Sequence, residues 1–159
     1  MKVEHLVIDG YSLLHRMPEA KQHVDGDLQL ARQILLRAIE PVAGLYAPRM
    51  TVVFDGRARG VDLTHDHAAV HVVFTGAGET ADHFIEVMVH DEANPSSVLV
   101  VTSDREEINT VLAAGGQVMS CREFIELCTR HDREITRRAR TTGSRPHTRN
   151  TLGDYFPAP

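Results

Sequence analysis

Short apolar runs alternate along this chain with longer stretches in which apolar residues recur every three or four positions. The first run, His5-Leu6-Val7-Ile8, lies in a predicted strand over 3–8. Residues 27–47 predict a helix with Leu28, Ala31, Ile34, Leu35, Ala38 and Ile39 on one face. Asp25 or Asp27 is placed to cap it, and Pro41 to kink it or end its first part. A strand over 50–54, a polar loop over 55–69 and a strand over 70–74 follow. A helix from Glu79 to about Asp91 precedes a strand over 97–102 and a helix over 104–114, whose end at Gly115-Gly116 suits a C′ glycine. A short strand at 117–120 leads to a last helix from about 121 to 140. Strands alternating with helices, the strands apolar almost without interruption, predict an α/β fold with a mostly parallel central sheet covered by helices on both faces.

Acidic residues mark the places where these strands give way to a turn or helix. Ile8 is followed by Asp9-Gly10, and Phe54 by Asp55-Gly56. The 70–74 strand leads through Gly76 and Gly78 to Glu79 and Asp82, and the 97–102 strand through Thr102-Ser103 to Asp104. In a parallel α/β sheet the carboxyl ends of the strands share one edge, where ligands bind. Carboxylates gathered there repel one another, by roughly 4 kcal/mol per pair about 4 Å apart at an effective dielectric near 20. A divalent cation is the usual offset, and oxygen-only ligation suits Mg2+ or Mn2+. Each acid also has an ordinary reading. Asp-Gly dipeptides signal turns, and Glu79 and Asp82, three apart on one face of a helix start, suit the helix dipole. Asp104 is a natural N-cap, or Ser103 caps in a box with Glu106. Glu86, one turn beyond Asp82, reads as structural.

Composition narrows the class. With 159 residues, 42% hydrophobic and 25% charged, the chain has the make-up of one soluble domain. No apolar run approaches the roughly 20 residues that span a bilayer, and the start lacks signal-peptide zones, so no membrane role and a cytoplasmic location are expected. Cys121 and Cys128 are seven apart in a predicted helix, too far along its axis for a disulfide. The net charge of −5 is unevenly spread: residues 1–128 carry −9, whereas 129–150 hold seven arginines and two acids. An acidic body with an Arg-rich appendage is compatible with nucleic-acid binding through the appendage, or with a merely solvated helix and tail. Residues 1–140 read as the folded domain and 141–159 as a flexible Arg-containing tail. Within the tail, 152–156 form a small apolar island that either docks back, serves as a short linear motif or has no role.

Other chemistries are disfavoured. His65, His67 and His71 form a string without a Cys or Glu partner at zinc spacing. There is no Gly-Lys-Ser/Thr phosphate loop, no G-x-S-x-G elbow, and no second Asp after Asp9 to make a D-x-D phosphatase signature.

Taken in order, residues 6–14 with Asp9-Gly10-Tyr11-Ser12, 52–56 with Asp55, 73–75 with Glu79-Thr80-Ala81-Asp82, and 101–104 with Asp104 resemble the YacP-like NYN domains, which are PIN-like bacterial endoribonucleases. The likeness covers roughly residues 3–135. It implies a three-layer PIN-like α/β fold and metal-dependent cleavage of RNA, with Mg2+ or Mn2+ as cofactor. It carries catalytic roles onto Asp9, Glu79, Asp82 and Asp104, of which Asp9, Asp82 and Asp104 are the implied metal ligands. Asp55 matches a strand-end acid, while Arg57, Arg59 and Arg105 are candidates to hold the RNA backbone and Tyr11 to stack on a base. The implied partner is single-stranded RNA, mRNA or rRNA, with the ribosome or RNA-processing machinery as the larger setting. One position departs from the family: its Asp-Gly-Tyr-Asn reads Asp-Gly-Tyr-Ser here, and the Ser12 hydroxyl cannot offer an amide's paired donor and acceptor. That substitution leaves open a non-catalytic RNA- or protein-binding module. A small-molecule phosphatase on a related scaffold is the third reading.

Overall fold

A computed structural model describes residues 2–56 and 69–143. Arg57, Arg59, His65, His67 and the tail from 144 onward, with its 152–156 island, lie outside the described residues. Five strands, β1 (His5–Asp9), β2 (Arg49–Phe54), β3 (His71–Phe74), β4 (Val98–Val101) and β5 (Gln117–Met119), form one sheet in the order β3-β2-β1-β4-β5. Every pairing is parallel, so the expected mostly parallel sheet is wholly so. β1 sits at the centre, paired with β2 from His5↔Arg49 and with β4 from His5↔Val98. The chain winds outward from it in both directions, which puts the topological switch point between the carboxyl ends of β1 and β4.

The helices are α1 (Gly10–Leu14), α2 (Pro18–Lys21), α3 (Leu28–Ile39), α4 (Ala81–Asp91), α5 (Arg105–Ala113) and α6 (Cys121–Thr141). Alternation within β1 shows how they are layered. Leu6 and Ile8 join a core made with α1, α2, α3 and the first turn of α6, through Leu13, Leu35, Ile39 and Phe124 among others. Val7, one residue out of phase, joins the opposite core with Ile85 and Val89 of α4 and Val111 of α5. These side chains are essentially fully buried, each contributing roughly 1.5–3 kcal/mol relative to exposure.

Several boundaries differ from the sequence reading for local reasons. Asp27, not Asp25, caps α3, its Oδ1 accepting the Leu30 N–H at 3.0 Å. The helix stops at Ile39 because Pro41, with no N–H to donate, falls into a 3-10 turn over Glu40–Val42. α4 starts at Ala81 under a Thr80 cap, so Glu79 precedes the helix and does not share a face with Asp82. α5 ends as predicted: Gly115 has φ +91°, and the Gly115 and Gly116 amides bond to the Leu112 and Val111 carbonyls at 3.0 Å.

The chain divides into two compact units, Met1–Cys128 and Thr129–Pro159. The second is described to residue 143; its helical residues are mostly exposed and carry an Arg138–Glu134 ion pair at 2.5 Å. Neither Cys121 nor Cys128 is in a disulfide. Among the described residues, no helix is long and apolar enough to cross a membrane.

Candidate metal centre

The apolar run of β1 delivers Asp9 to the switch point as the strand's last residue, only 7% exposed. Its Oδ1 accepts the Ser12 N–H at 3.2 Å and so caps α1. Gly10 is there for space rather than for a turn. A Cβ on it would lie 2.5 Å from the Phe54 ring and 2.9 Å from the Val53 carbonyl oxygen, and its φ is not positive. From across the edge, α4 offers Asp82 in its first turn, exposed, and α5 offers Glu107, 3% exposed. One carboxylate oxygen from each of Asp9, Asp82 and Glu107 falls within 4.8 Å of the others.

Three carboxylates so close do not all ionise readily. Burial, and then the charge of Asp9, push the Glu107 carboxyl up to about 9. Asp9 is also raised, burial again the largest cause, with a proton shared from Glu107 and the Ser12 amide opposing. Asp82 is raised by burial first and then by the charges of Asp9 and Asp104. Around neutral pH the cluster therefore carries a proton on Glu107. Thr102 supports that side chain: its hydroxyl donates to Glu107 Oε2 at 2.5 Å and accepts the Asp104 N–H at 3.1 Å. The other oxygen, Oε1, is buried and, among the described residues, accepts from no N–H or O–H donor, while Glu107 shares its proton with Asp9. Three converging carboxyl oxygens, one of them on a buried side chain held only by Thr102 and a proton shared with Asp9, fit a hard divalent cation such as Mg2+ or Mn2+.

The remaining residues read from the sequence are distributed around this cluster. Asp104 lines the same cleft of about 360 Å3, together with Asp55 and the cationic or titratable Arg16 and His15. The Asp104 side chain caps α5, its Oδ1 accepting the Glu106 and Glu107 amides at 2.8 and 3.2 Å, so the third acid of the close cluster is Glu107. Ser12 turns its hydroxyl inward, where Oγ accepts the Ser103 N–H at 2.9 Å and ties the β1–α1 junction to the β4–α5 junction. Tyr11 is half-buried in the cleft wall, its ring edge-on to Phe54. Asp55 is exposed and lies 3.3 Å from the Thr75 hydroxyl, which accepts the Gly56 N–H at 2.8 Å and donates to the Glu79 carbonyl at 2.9 Å. The exposed Glu79 lines a neighbouring cleft instead. Arg105 is exposed at the start of α5, outside the wall of the acidic cleft, and Arg57 is outside the described residues.

Sequence reasoning missed Glu107, His15 and Arg16. For Glu107 a signal exists: it stands three residues after Asp104 and so returns to the same end of the same helix.

A sheet of this topology with an acidic crevice at its switch point belongs to the class of PIN-like nuclease domains. The YacP-like NYN domain family model matches residues 6–156, and the chain belongs to that family. It is 29% identical over 137 residues to a Bacillus subtilis (strain 168) protein described as uncharacterized protein YacP, covering 85% of this chain and 81% of the relative. The crystal structure of Rae1 (YacP) from Bacillus subtilis superposes with a TM-score of 0.77 at 29% identity, over 91% of this chain and 83% of that one. A mutant of the same protein gives 0.75 at 28% identity, over 92% and 87%.

Proposed function

We propose that this chain is a metal-dependent endoribonuclease that hydrolyses phosphodiester bonds of single-stranded RNA at the acidic cleft. The observation that carries this reading is the convergence of Asp9, Asp82 and Glu107, with Glu107 Oε1 buried and reached by no N–H or O–H donor. These three residues would hold Mg2+ or Mn2+, with Asp104 beside them in the wall. When bound, such a cation lowers the pKa of water and offsets charge on the phosphate. Asp82, exposed and raised in pKa, is positioned to accept a proton from an attacking water. Arg16 and His15 face the cleft where an incoming phosphate enters. Glu79, outside the cleft wall, is given no ligand role. The nuclease domain is taken as 1–140 and the Arg-containing remainder, 141–159, as a tail. mRNA or rRNA is the substrate class, in a cytoplasmic setting near the ribosome or other RNA-processing machinery.

The inward-turned hydroxyl of Ser12 favours a second reading, an RNA-binding module without turnover, because the family's amide is missing from the cleft. One assay separates the two. Purified protein is incubated with a mixed single-stranded RNA in Mn2+, Mg2+ or EDTA, alongside Asp82→Asn. Metal-dependent cleavage lost in the variant is the expected result. Binding without cleavage in any metal, with cleavage restored by Ser12→Asn, would replace the enzyme by the binding module.

A further inference from the structure

Arg32 is the one arginine of α3 that points into the core, and it is only 6% exposed. One of its terminal N–H groups donates to the Tyr11 hydroxyl at 2.5 Å. Its guanidinium carbon stands 5.7, 5.5 and 5.1 Å from the ring centres of Tyr11, Phe54 and Phe74. Among the described residues it forms no ion pair, and its Nε is buried without a hydrogen-bond partner. A buried, unpaired cation is expensive, by several kcal/mol. Each ring face returns only about 0.5–2 kcal/mol, so beyond its bond to the Tyr11 hydroxyl the side chain is, among the described residues, held in shape and short of an anion.

The space beside it is open. Arg32 and Tyr11 line a cleft of about 510 Å3 whose far wall is the Gly76-Ala77-Gly78 turn. A Cβ added to Gly76 or Gly78 would meet nothing within 4 Å, and Gly78 has φ +84°, so that wall presents bare backbone to whatever enters. Tyr11 and Asp55 belong to the walls of both this cleft and the acidic one, which makes the two clefts neighbours along the sheet edge. Asp55 and Glu79 also border the Arg32 cleft, but both are exposed. Their charges are screened by solvent, whereas that of Arg32 acts from a drier position.

We infer that Arg32, held by Tyr11 and faced by the Gly76-Ala77-Gly78 turn, is the floor of a subsite for a backbone phosphate of the RNA, flanking the phosphate that is cut. The inference rests on the ribonuclease reading and deepens it. A guanidinium with one N–H fixed on a phenol keeps several donors for a phosphate, and a planar fork suits that partner better than an ammonium. Arg32 thus acts as a positioning residue that sets where along the strand the cleavable bond comes to rest.

The test is fluorescence anisotropy in EDTA with a labelled single-stranded RNA, and with the same RNA carrying one neutral methylphosphonate at each position in turn. In the wild type one substitution outside the scissile position is expected to weaken binding by about tenfold, as a lost charge-assisted contact does. In Arg32→Met that same substitution is expected to have less than about a twofold effect, and the slope of log affinity against log salt to fall by roughly 0.7. Should Arg32→Met fail to fold, Arg32→Lys and Tyr11→Phe replace it, and both should blunt the same position. Methylphosphonate effects unchanged in every folded variant would overturn the inference, because a purely structural arginine weakens all the RNAs alike. That result leaves the nuclease reading intact if the wild type still binds and cuts RNA. A wild type that neither binds nor cuts refutes both.

Discussion

Asp9-Gly10 and Asp55-Gly56 are the same dipeptide at the ends of two adjacent parallel strands, yet they come to different states. Asp9 ends the central strand, is buried, caps a helix and shares its surroundings with Asp82 and Glu107. Asp55 follows a strand one place further out, is exposed, and leans on Thr75. The glycines differ as well. A Cβ on Gly10 would press on an aromatic ring at 2.5 Å, whereas one on Gly56 would sit 1.5 Å from the Thr75 carbonyl oxygen. Chemistry at this sheet edge is decided by position relative to the switch point, because there acids of α4 and α5 come within 4.8 Å of the strand-end carboxylate.

The strongest way to break this contrast is to neutralise the two acids in turn. Asp9→Asn is expected to lower kcat/KM for RNA cleavage by about 100-fold or more, the several kcal/mol at stake when a cation site loses a charged ligand. Asp55→Asn is expected to stay within about tenfold. Equal losses would mean that the two strand ends share one function. The glycines sharpen the comparison through stability. Gly56→Ala should lower the unfolding free energy by about 3 kcal/mol, since a backbone carbonyl cannot move aside. Gly10→Ala should lose roughly 1–3 kcal/mol, because the Phe54 ring has some room to yield. Urea denaturation measures both.

A smaller effect follows from the proton on Glu107. In the metal-free protein its carboxyl lies at about 9 against an ordinary value of 4.5. Between those values the folded state holds a proton that the unfolded chain has released. Stability is therefore complete below about pH 4.5 and declines as pH rises toward 9, by at most about 1.4 kcal/mol per pH unit. Asp9 and Asp82 shift in the same direction. Unfolding in EDTA at pH 5, 7 and 9 should show this decline in the wild type and a flatter profile in Glu107→Gln. Mn2+ should flatten the wild-type profile as well, since the cation takes over from the proton. Matching slopes in the two proteins would assign the titration to other groups.

Much of the architecture was readable from the chain because parallel strands buried on both faces are largely apolar: β4 is wholly so, and β1 and β2 are interrupted only by His5 and Thr51 and by Asp9 and Arg49 at their ends. The acids at their carboxyl ends were readable for the same reason, as abrupt polar residues after apolar runs. α1 and α2 escaped because five and four residues are too few to establish a helical period. Glu107 escaped because an acid in the first turn of a helix is ordinary, and only the fold shows that this one is buried against Asp9. Arg32 is the converse case. It stands four residues after Leu28 and three before Leu35, inside the apolar stripe of α3, and a charged residue there is itself a signal.

The placement of β1 between β2 and β4 has a consequence for how the protein is made. His5 pairs with Arg49 on one side, but its neighbour on the other side is Val98. At roughly 5–20 residues per second of synthesis, the central strand waits on the order of 5–20 s with one edge unpaired. An open, apolar strand edge is a template for unwanted pairing. The acidic centre waits as well, since Asp9 emerges long before Asp82 and Glu107. A chain interrupted before α5 would carry Asp9, Asp82 and four of the five strands, but not Glu107, the acid that completes the cluster.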